Sequence, residues 1–377
     1  MAPTYCCVPK SVARATVCAL LSWFGREARD LPWRRTHDPY AIWVAEVMLQ
    51  QTRVKTVVSY WQRWMQHLPD VTALAHARPE FLRKLWEGLG YYRRVELLQR
   101  AARIIVKQYH GRFPRQWDEI LALPGVGRYT AGAISSIAYN LAVPAVDGNV
   151  SRVLRRWLGR PLGKQDALAW AVAERWVKLA ARCPPVRLLR LSPSGQPADA
   201  PVCPPCSAFN QALMELGATV CLPFKPLCTV CPIQQHCAYA RSPATCAGAP
   251  QRRPSSIKRR LVVWVVQRRG RYLVRQRSLQ ECNGGFWELP TFEIPEETSD
   301  ALAPSTCKWF EPLKAKPLYQ LTHHITRYRY HVQVYPAKLK GNWPAGRWLT
   351  TAQLAARPMT RLSRKVLDRL LTGRGPA

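Results

Sequence analysis

The sequence predicts a mostly α-helical domain followed by a smaller α+β domain, and three observations carry that prediction. The 377 residues exceed the usual size of one hydrophobic core. From about residue 10 to 180, apolar residues recur at three- and four-residue spacing between short polar breaks, as in helices that bury one face. After a stretch rich in Pro, Ala and Arg at 241–256, short apolar runs separated by turn residues take over, the pattern of strands. The expected organisation is a helical domain over 1–240, a linker over 241–256 and an α+β domain over 257–377.

At the start, Val12, Val17, Leu20, Leu21 and Phe24 keep helical spacing and run into Leu31-Pro32-Trp33-Arg34. The segment therefore reads as a first structural helix rather than a targeting peptide, although its first 26 residues carry no acid. Pro39 opens a helix that runs through Leu49, and further helices are expected over 54–67, 79–87, 94–109, 115–122, 130–139 and 165–181. The stretch 183–205, rich in Pro, Ser and Arg, reads as an exposed loop or insertion, and helix resumes at Phe209 and ends before Cys221. Beyond the linker, apolar runs at 261–266 and 272–274 flank Arg269-Gly270, a hairpin signal. A second strand pair is expected around 328–334, and helices near 351–356 and 361–371 close the domain.

Lys and Arg number 56 against 23 Asp and Glu, a net charge of +33. Such a chain repels itself unless it meets a polyanion, so nucleic acid is the first partner to consider. The 15 Trp and 14 Tyr supply flat side chains able to stack on bases, although most should simply fill the core. No apolar run reaches membrane-spanning length. The 13 cysteines are an odd number and mostly scattered, which is not a disulfide framework. They suit a reducing compartment; a cytoplasmic, nucleoid-associated location as in a bacterium is expected ahead of organelle or nuclear targeting.

Four cysteines are the exception. Cys221, Cys228, Cys231 and Cys237 follow the spacing C-x6-C-x2-C-x5-C, close enough for four thiolates to surround one metal centre at little loop-closure cost. Zinc and a [4Fe–4S] cluster both accept four thiolates. The single CxxC resembles the cluster loop of the endonuclease III and adenine glycosylase superfamily and so favours iron–sulfur. Upstream, Leu123-Pro124-Gly125-Val126-Gly127-Arg128-Tyr129-Thr130 lies between two helical stretches. Its glycines permit a tight turn, and the next helix offers free N–H groups to phosphate. This resembles a helix–hairpin–helix, a clamp on the DNA backbone.

Two acids stand out. Glu46 is embedded in Val44-Ala45-Glu46-Val47-Met48-Leu49, where a carboxyl has a raised pKa and holds a proton to donate, unless it is the partner of a buried arginine. Asp147, in Val146-Asp147-Gly148-Asn149-Val150, is equally a carboxylate for a reacting sugar or the cap of a helix.

Those motifs, taken with Gly88-Leu89-Gly90-Tyr91-Tyr92 and Phe209-Asn210-Gln211-Ala212-Leu213-Met214, appear in order and closely resemble the MutY family of adenine DNA glycosylases across nearly all of 10–240. The resemblance implies that Glu46 protonates adenine N7 and later guides water, while Asp147 stabilises the sugar cation. It implies that Asn149 orients these acids, that Tyr129 supports the cation, and that Arg34, Leu49 and Gln211 line the base pocket. Gln51, Thr52, Leu89 and Tyr91 are then expected to fill the duplex around an extruded adenine, with Gly125, Val126 and Gly127 against the backbone. Bifunctional relatives carry a lysine nucleophile where this chain has Tyr129, so a monofunctional glycosylase is expected.

Residues 257–377 resemble the MutT-like, Nudix-fold domain of the same family, most clearly at Gly284-Gly285-Phe286-Trp287-Glu288-Leu289-Pro290. The stretch from Thr291 to Glu297 lacks the R-E-x-x-E-E core that binds Mg²⁺, so a reader without hydrolase activity is expected. In the family this domain recognises 8-oxoguanine through a short Phe-Ser-His-like loop. The matching stretch here is Leu321-Thr322-His323, with His324 offering a one-residue shift; a surface strand histidine is the plainer reading of His323. The implied partner is double-stranded DNA with A:8-oxoguanine or A:G mispairs, met by a monomer away from membranes. An endonuclease III-like glycosylase/lyase, a non-enzymatic DNA-binding or zinc protein, and a Nudix hydrolase are the competing readings. Tyr129, the Glu46 and Asp147 motifs, and the missing metal core disfavour them in turn.

Overall fold

The computed structural model describes residues 8–160, 167–242, 256–294, 308–325 and 327–372. Packing divides the chain into two units: Met1–His76 with Glu96–Pro250, and Ala77–Val95 with Gln251–Ala377. The described helices up to the linker are α1 (Lys10–Glu27), α2 (Pro39–Leu49), α3 (Val54–His67), α4 (Val71–His76), α5 (Pro79–Trp86), α6 (Arg93–Tyr109), α7 (Trp117–Leu121), α8 (Arg128–Tyr139), α9 (Gly148–Leu158), α10 (Ala167–Ala180), α11 (Pro205–Thr219) and α12 (Ala238–Arg241). None of the described helices is long and apolar enough to cross a membrane.

In the first unit, α1 buries Val17, Leu20, Leu21 and Phe24 against α10 and α11, so the first structural helix expected from the spacing is present. Trp157 of α9 and Trp176 of α10 meet edge-to-face at 4.7 Å in the same core. Both carboxylate oxygens of Asp38 accept α2 backbone N–H groups, from Tyr40 at 3.1 Å and Ala41 at 3.2 Å, and Pro39 occupies the first turn. Because α2 is apolar on all sides it is buried on all sides, and Glu46 goes in with it.

Three differences from the sequence reading have local causes. Helix α8 begins at Arg128, so Tyr129 lies in its first turn rather than in the hairpin. Helix α11 starts at Pro205, because proline is tolerated at a helix's first position. The stretch 183–205 is not simply an exposed loop: β1 (Val186–Arg187) and β2 (Val202–Cys203) pair antiparallel, and Leu188, Leu191 and Cys203 join the core. Strands of two residues leave no periodicity to read. Helix α4 adds to the expected set, α9 is the helix offered as one reading of Asp147, and residues 165 and 166 lie outside those described.

In the second unit, β3 (Ile257–Val265), β4 (Gln267–Arg268), β5 (Arg271–Gln276), β6 (Trp287–Glu288), β7 (Thr291–Ile294), β8 (Phe310–Pro312), β9 (Tyr319–Ile325), β10 (Tyr328–Leu339) and β11 (Arg347–Thr350) precede α13 (Thr351–Ala356) and α14 (Arg361–Thr372). One sheet has the order β7-β3-β10-β8 with β9 also on β10, and the other β11-β5-β4 with β6 on β5. Strand β10 runs parallel to β3, pairing Val334 with Val263, and antiparallel to β9. Helices α13 and α14 contribute Leu354, Leu362, Val366 and Leu367 to a core shared with Val263 and Val334 of the first sheet and Val274 and Leu349 of the second. Arg269 (φ 49°) and Gly270 (φ 71°) form the expected hairpin turn in the conformation that matches strand twist. Beyond Pro290 the chain continues as β7, while Pro295, Glu296 and Glu297 lie outside the described residues.

Candidate active site

A cleft of about 570 Å³ in the first unit is lined by Arg29, Arg34, Glu46, Leu49, Gln50, Gln51, Thr52, Tyr129, Asp147, Asn149, Gln211, Met214 and Glu215, with apolar neighbours. That volume suits a small planar ligand. The cleft brings together both candidate carboxyls, which stand 101 positions apart in sequence, and the proposed pocket residues Arg34, Leu49 and Gln211.

Glu46 is 5% exposed. Its Oε2 accepts the Tyr129 hydroxyl at 2.6 Å, and the same hydroxyl lies 3.4 Å from Met214 Sδ. Burial pushes the Glu46 carboxyl up to about 7 and Asp147 adds repulsion, against the lowering pull of the Tyr129 hydroxyl and Arg34. A carboxyl so placed divides its time between acid and base near neutral pH. The alternative of a direct arginine partner is not realised, because Arg34 bonds elsewhere.

Asp147 both caps a helix and lines the cleft. It caps α9, with Oδ1 accepting Val150 N–H at 2.7 Å, and Oδ2 accepts the Asn149 side-chain amide at 3.0 Å. Arg152, unnoticed in the sequence, donates to Asn149 Oδ1 at 2.9 Å, to the Gly217 carbonyl at 2.7 Å and to the Cys221 carbonyl at 3.0 Å. A Cβ at Gly217 would sit 2.7 Å from Asn149 Cβ, so α11 approaches α9 as closely as it does only because that residue is glycine.

The largest omission from the sequence reading is Glu215. It is 1% exposed and accepts from Arg29 N–H (3.1 Å), Nε (2.7 Å) and Nη2 (2.8 Å), and from Arg34 Nη2 at 2.8 Å. Burial alone would raise its pKa, but the Arg29 hydrogen bond and the charge of Arg34 outweigh it and hold the carboxyl down at about 2. Arg34, fixed also by the Arg29 carbonyl, turns its Nε toward Gln211 Oε1 at 3.2 Å. The only sequence signal was a glutamate within the otherwise apolar turn after Met214.

Gly125 takes φ 78°, and a Cβ there would meet Leu97 Cβ at 2.8 Å, so the hairpin requires glycine at that position. Gly127 has an ordinary φ of −96° and is needed for no turn, contrary to the sequence reading; it leaves open space before α8, whose first N–H groups have no side-chain cap. Val126 is buried, so its side chain is not available to a ligand. Gln51 and Thr52 line the cleft. Leu89 and Tyr91 belong to the second unit, Leu89 buried and Tyr91 49% exposed.

Cys221, Cys228, Cys231 and Cys237 line one recess with Val153, Arg156 and Leu216. Burial first, and then the neighbouring Cys221, Cys237 and Cys228, push the Cys231 thiol up to about 12, and a bound cation would favour its thiolate form. Among the described residues no three His, Cys, Asp or Glu side chains converge closely enough for a single ion. Tetrahedral zinc would draw four sulfurs to about 3.8 Å of one another. Four cysteine side chains around one recess fit a group that takes four thiolates, such as a [4Fe–4S] cluster.

The strand that was expected to be a reading loop is β9. Its alternation turns Tyr319, Leu321 and His323 to the packed face, and Gln320, Thr322 and His324 to the other. His323 is 5% exposed, so the alternative of a surface strand histidine does not hold, and of the three expected reading residues only Thr322 is on the exposed face. Burial, then the positive charges of Lys365, Arg361 and His324, bring it down to about 4.

Residues 44–179 match the family described as HhH-GPD superfamily base excision DNA repair protein, and residues 261–369 match the NUDIX domain. The chain is 33% identical to the adenine DNA glycosylase of Homo sapiens over 95% of its length and 74% of that protein, and 34% identical to that of Rattus norvegicus over 92% and 76%. The adenine DNA glycosylase of Mycolicibacterium smegmatis is 40% identical over 62% of this chain and 72% of that one. Among solved structures, a thermostable thymine-DNA glycosylase aligns with a TM-score of 0.50 and 28% identity over 61% of this chain and 97% of its own.

Proposed function

The chain belongs to the adenine DNA glycosylase family, and from that premise we propose that it excises adenine mispaired with 8-oxoguanine or guanine, after flipping the adenine out of the duplex, without cutting the strand. The observation that carries the reading is Glu46, buried in a cleft, brought up to about 7 and hydrogen-bonded to a phenol. In its acid form it delivers a proton to adenine N7, and the electron pair of the glycosidic bond leaves with the base. The sugar C1′ is left as an oxocarbenium ion facing the Asp147 carboxylate, oriented by Asn149. Water then attacks C1′ and gives its proton to the Glu46 carboxylate. Arg34, held by Glu215, and Gln211 and Leu49 form the walls that recognise the base.

Gln51, Thr52, Leu89 and Tyr91 fill the space that the adenine vacates, and Gly125, Gly127 and the open start of α8, with the Val126 backbone, take the phosphates of duplex DNA. Cys221, Cys228, Cys231 and Cys237 hold a [4Fe–4S] cluster, which clips the loop around Lys225 into shape for the backbone. Thr322 with its same-face neighbour His324 reads 8-oxoguanine opposite the adenine; Leu321 and His323 pack beneath them. The protein acts as a monomer in a reducing bacterial cytoplasm, beside the nucleoid. No lysine stands where Tyr129 does, so no Schiff base forms at the site.

The test is alkali cleavage of A:8-oxoguanine, A:G and A:T duplexes after incubation, with excision expected in the first two. A borohydride-trapped stoichiometric enzyme–DNA adduct would refute the monofunctional reading, and excision from A:T at the same rate would refute the mispair specificity.

A further inference from the structure

The segment from Ala77 to Val95 falls inside the matched glycosylase region, yet it packs as part of the second unit. Its loop after α5 is unusual backbone: Gly88 (φ 101°), Gly90 (φ 75°) and Tyr91 (φ 47°) are all left-handed. A tyrosine keeps that conformation only where its surroundings insist on it. Arg94 Nη2 donates to the carbonyls of Leu89 (3.3 Å) and Gly90 (3.1 Å), Trp86 Nε1 donates to Gly90 O at 3.2 Å, and the Arg94 guanidinium lies over both the Trp86 and Tyr91 rings.

The loop is then fastened at both ends to the C-terminal part of the same unit. At the entry, the Glu87 carboxylate accepts from Arg364 Nε of α14 at 2.9 Å and from Lys84 Nζ at 2.7 Å. Lys84 also donates to the Arg357 carbonyl at 3.2 Å, and Arg364 Nη2 to the Leu354 and Arg357 carbonyls, each at 3.2 Å. At the exit, the Tyr92 ring meets the fully buried Phe286 ring with centroids 4.0 Å apart. A carboxylate 14% exposed, with two cations and their carbonyl partners, is a fixed joint rather than a loose surface pair.

We propose that Glu87 and Arg364 are positioning residues for mispair discrimination: they lock the Leu89–Gly90–Tyr91 loop to the unit that carries β9, so that reading the base opposite and opening the duplex are one event. This rests on the reading above that the loop enters the duplex and that β9 reads the opposite base. Arg364 and Glu87 touch neither DNA nor the cleft in that account; they act through the loop.

The test compares Arg364→Gln, Glu87→Gln, Arg364→Lys and, as a control on the loop, Tyr91→Ala in the full chain. Each is measured by single-turnover excision from A:8-oxoguanine and A:G duplexes, by fluorescence of a 2-aminopurine beside the mispair, and by thermal melting. Coupling of this kind predicts that Arg364→Gln and Glu87→Gln shrink the ratio of the two excision rates about fivefold and damp the fluorescence rise, while Arg364→Lys keeps both. An unchanged ratio in both Gln variants of normal melting behaviour, or equal loss in the Lys variant, overturns the proposal. If Tyr91→Ala alters neither readout, the loop's entry into the duplex is wrong and the proposal falls with it. If Tyr91→Ala alters both and the Gln variants neither, only the joint is refuted.

Discussion

Each of the two packing units buries a glutamate to nearly the same depth, Glu46 at 5% and Glu288 at 3% exposed, and each surrounds it differently. Glu288 receives Arg275 Nε at 2.8 Å and Arg277 Nη1 at 2.7 Å, with Glu281 sharing the same two guanidinium groups. Both its oxygens are held by guanidinium groups, and it ties β5 to β6. Glu46 has a hydroxyl instead of a cation, so burial dominates and its proton is kept available near pH 7. Depth alone therefore distinguishes nothing; the partner decides whether a buried acid ties cations together or keeps a proton to give. Glu215 makes the same point inside the first unit, since two arginines turn it into a scaffold at the edge of the cleft.

The contrast can be broken by exchanging charge for a neutral isostere. Glu46→Gln should cut single-turnover adenine excision by about 10²–10⁴-fold while the protein stays folded, and excision by the native protein should fall about tenfold per pH unit above about 7. Retained excision in that variant would remove Glu46 from the chemistry. Glu288→Gln should leave excision nearly intact but cost about 2 kcal/mol in urea unfolding, because one charge-assisted hydrogen bond is lost while Glu281 still pairs both guanidinium groups.

The pH dependence of stability sharpens the same difference. Glu46 is raised on folding, so its contribution is full below pH 4.5 and fades up to about pH 7, a loss of about 3 kcal/mol that Glu46→Gln should abolish. His323 in the second unit is lowered on folding, so its contribution is full above pH 6.5 and is lost toward pH 4. Unfolding of His323→Leu should lack about 2 kcal/mol of the native decline between pH 7 and pH 5. Urea titrations at several pH values check both limbs. The smallest expected effect is that of Gly217→Ala, whose added methyl displaces Asn149 and slows excision about tenfold without affecting DNA affinity.

What the sequence disclosed was local. Helix α3 was expected at the bounds it has, and α2, α6 and the hairpin at 269–270 close to theirs, because periodicity, capping and turn chemistry act within a few residues. Apolar flanks marked Glu46, its glycine context Asp147 and their spacing the four cysteines, while the family resemblance added Tyr129 and the role expected of each. What stayed hidden depends on distant partners. Glu215 meets Arg29 across 186 positions, and Tyr129 meets Glu46 across 83. The sidedness of His323 follows from strand alternation once β9 is known to begin at Tyr319, a boundary that its mixed polar and apolar residues did not mark.

The double duty of Asp147 has a practical consequence for anyone wishing to capture the protein on its substrate. Alanine there would remove a helix start and a charge together, leaving a silent variant whose silence has two causes. Asparagine caps a helix as well as aspartate does, so Asp147→Asn keeps the N-terminus of α9 and gives up the charge and one acceptor, the one now serving Asn149. That single exchange offers a way to halt the reaction while keeping the shape of the site that receives the base.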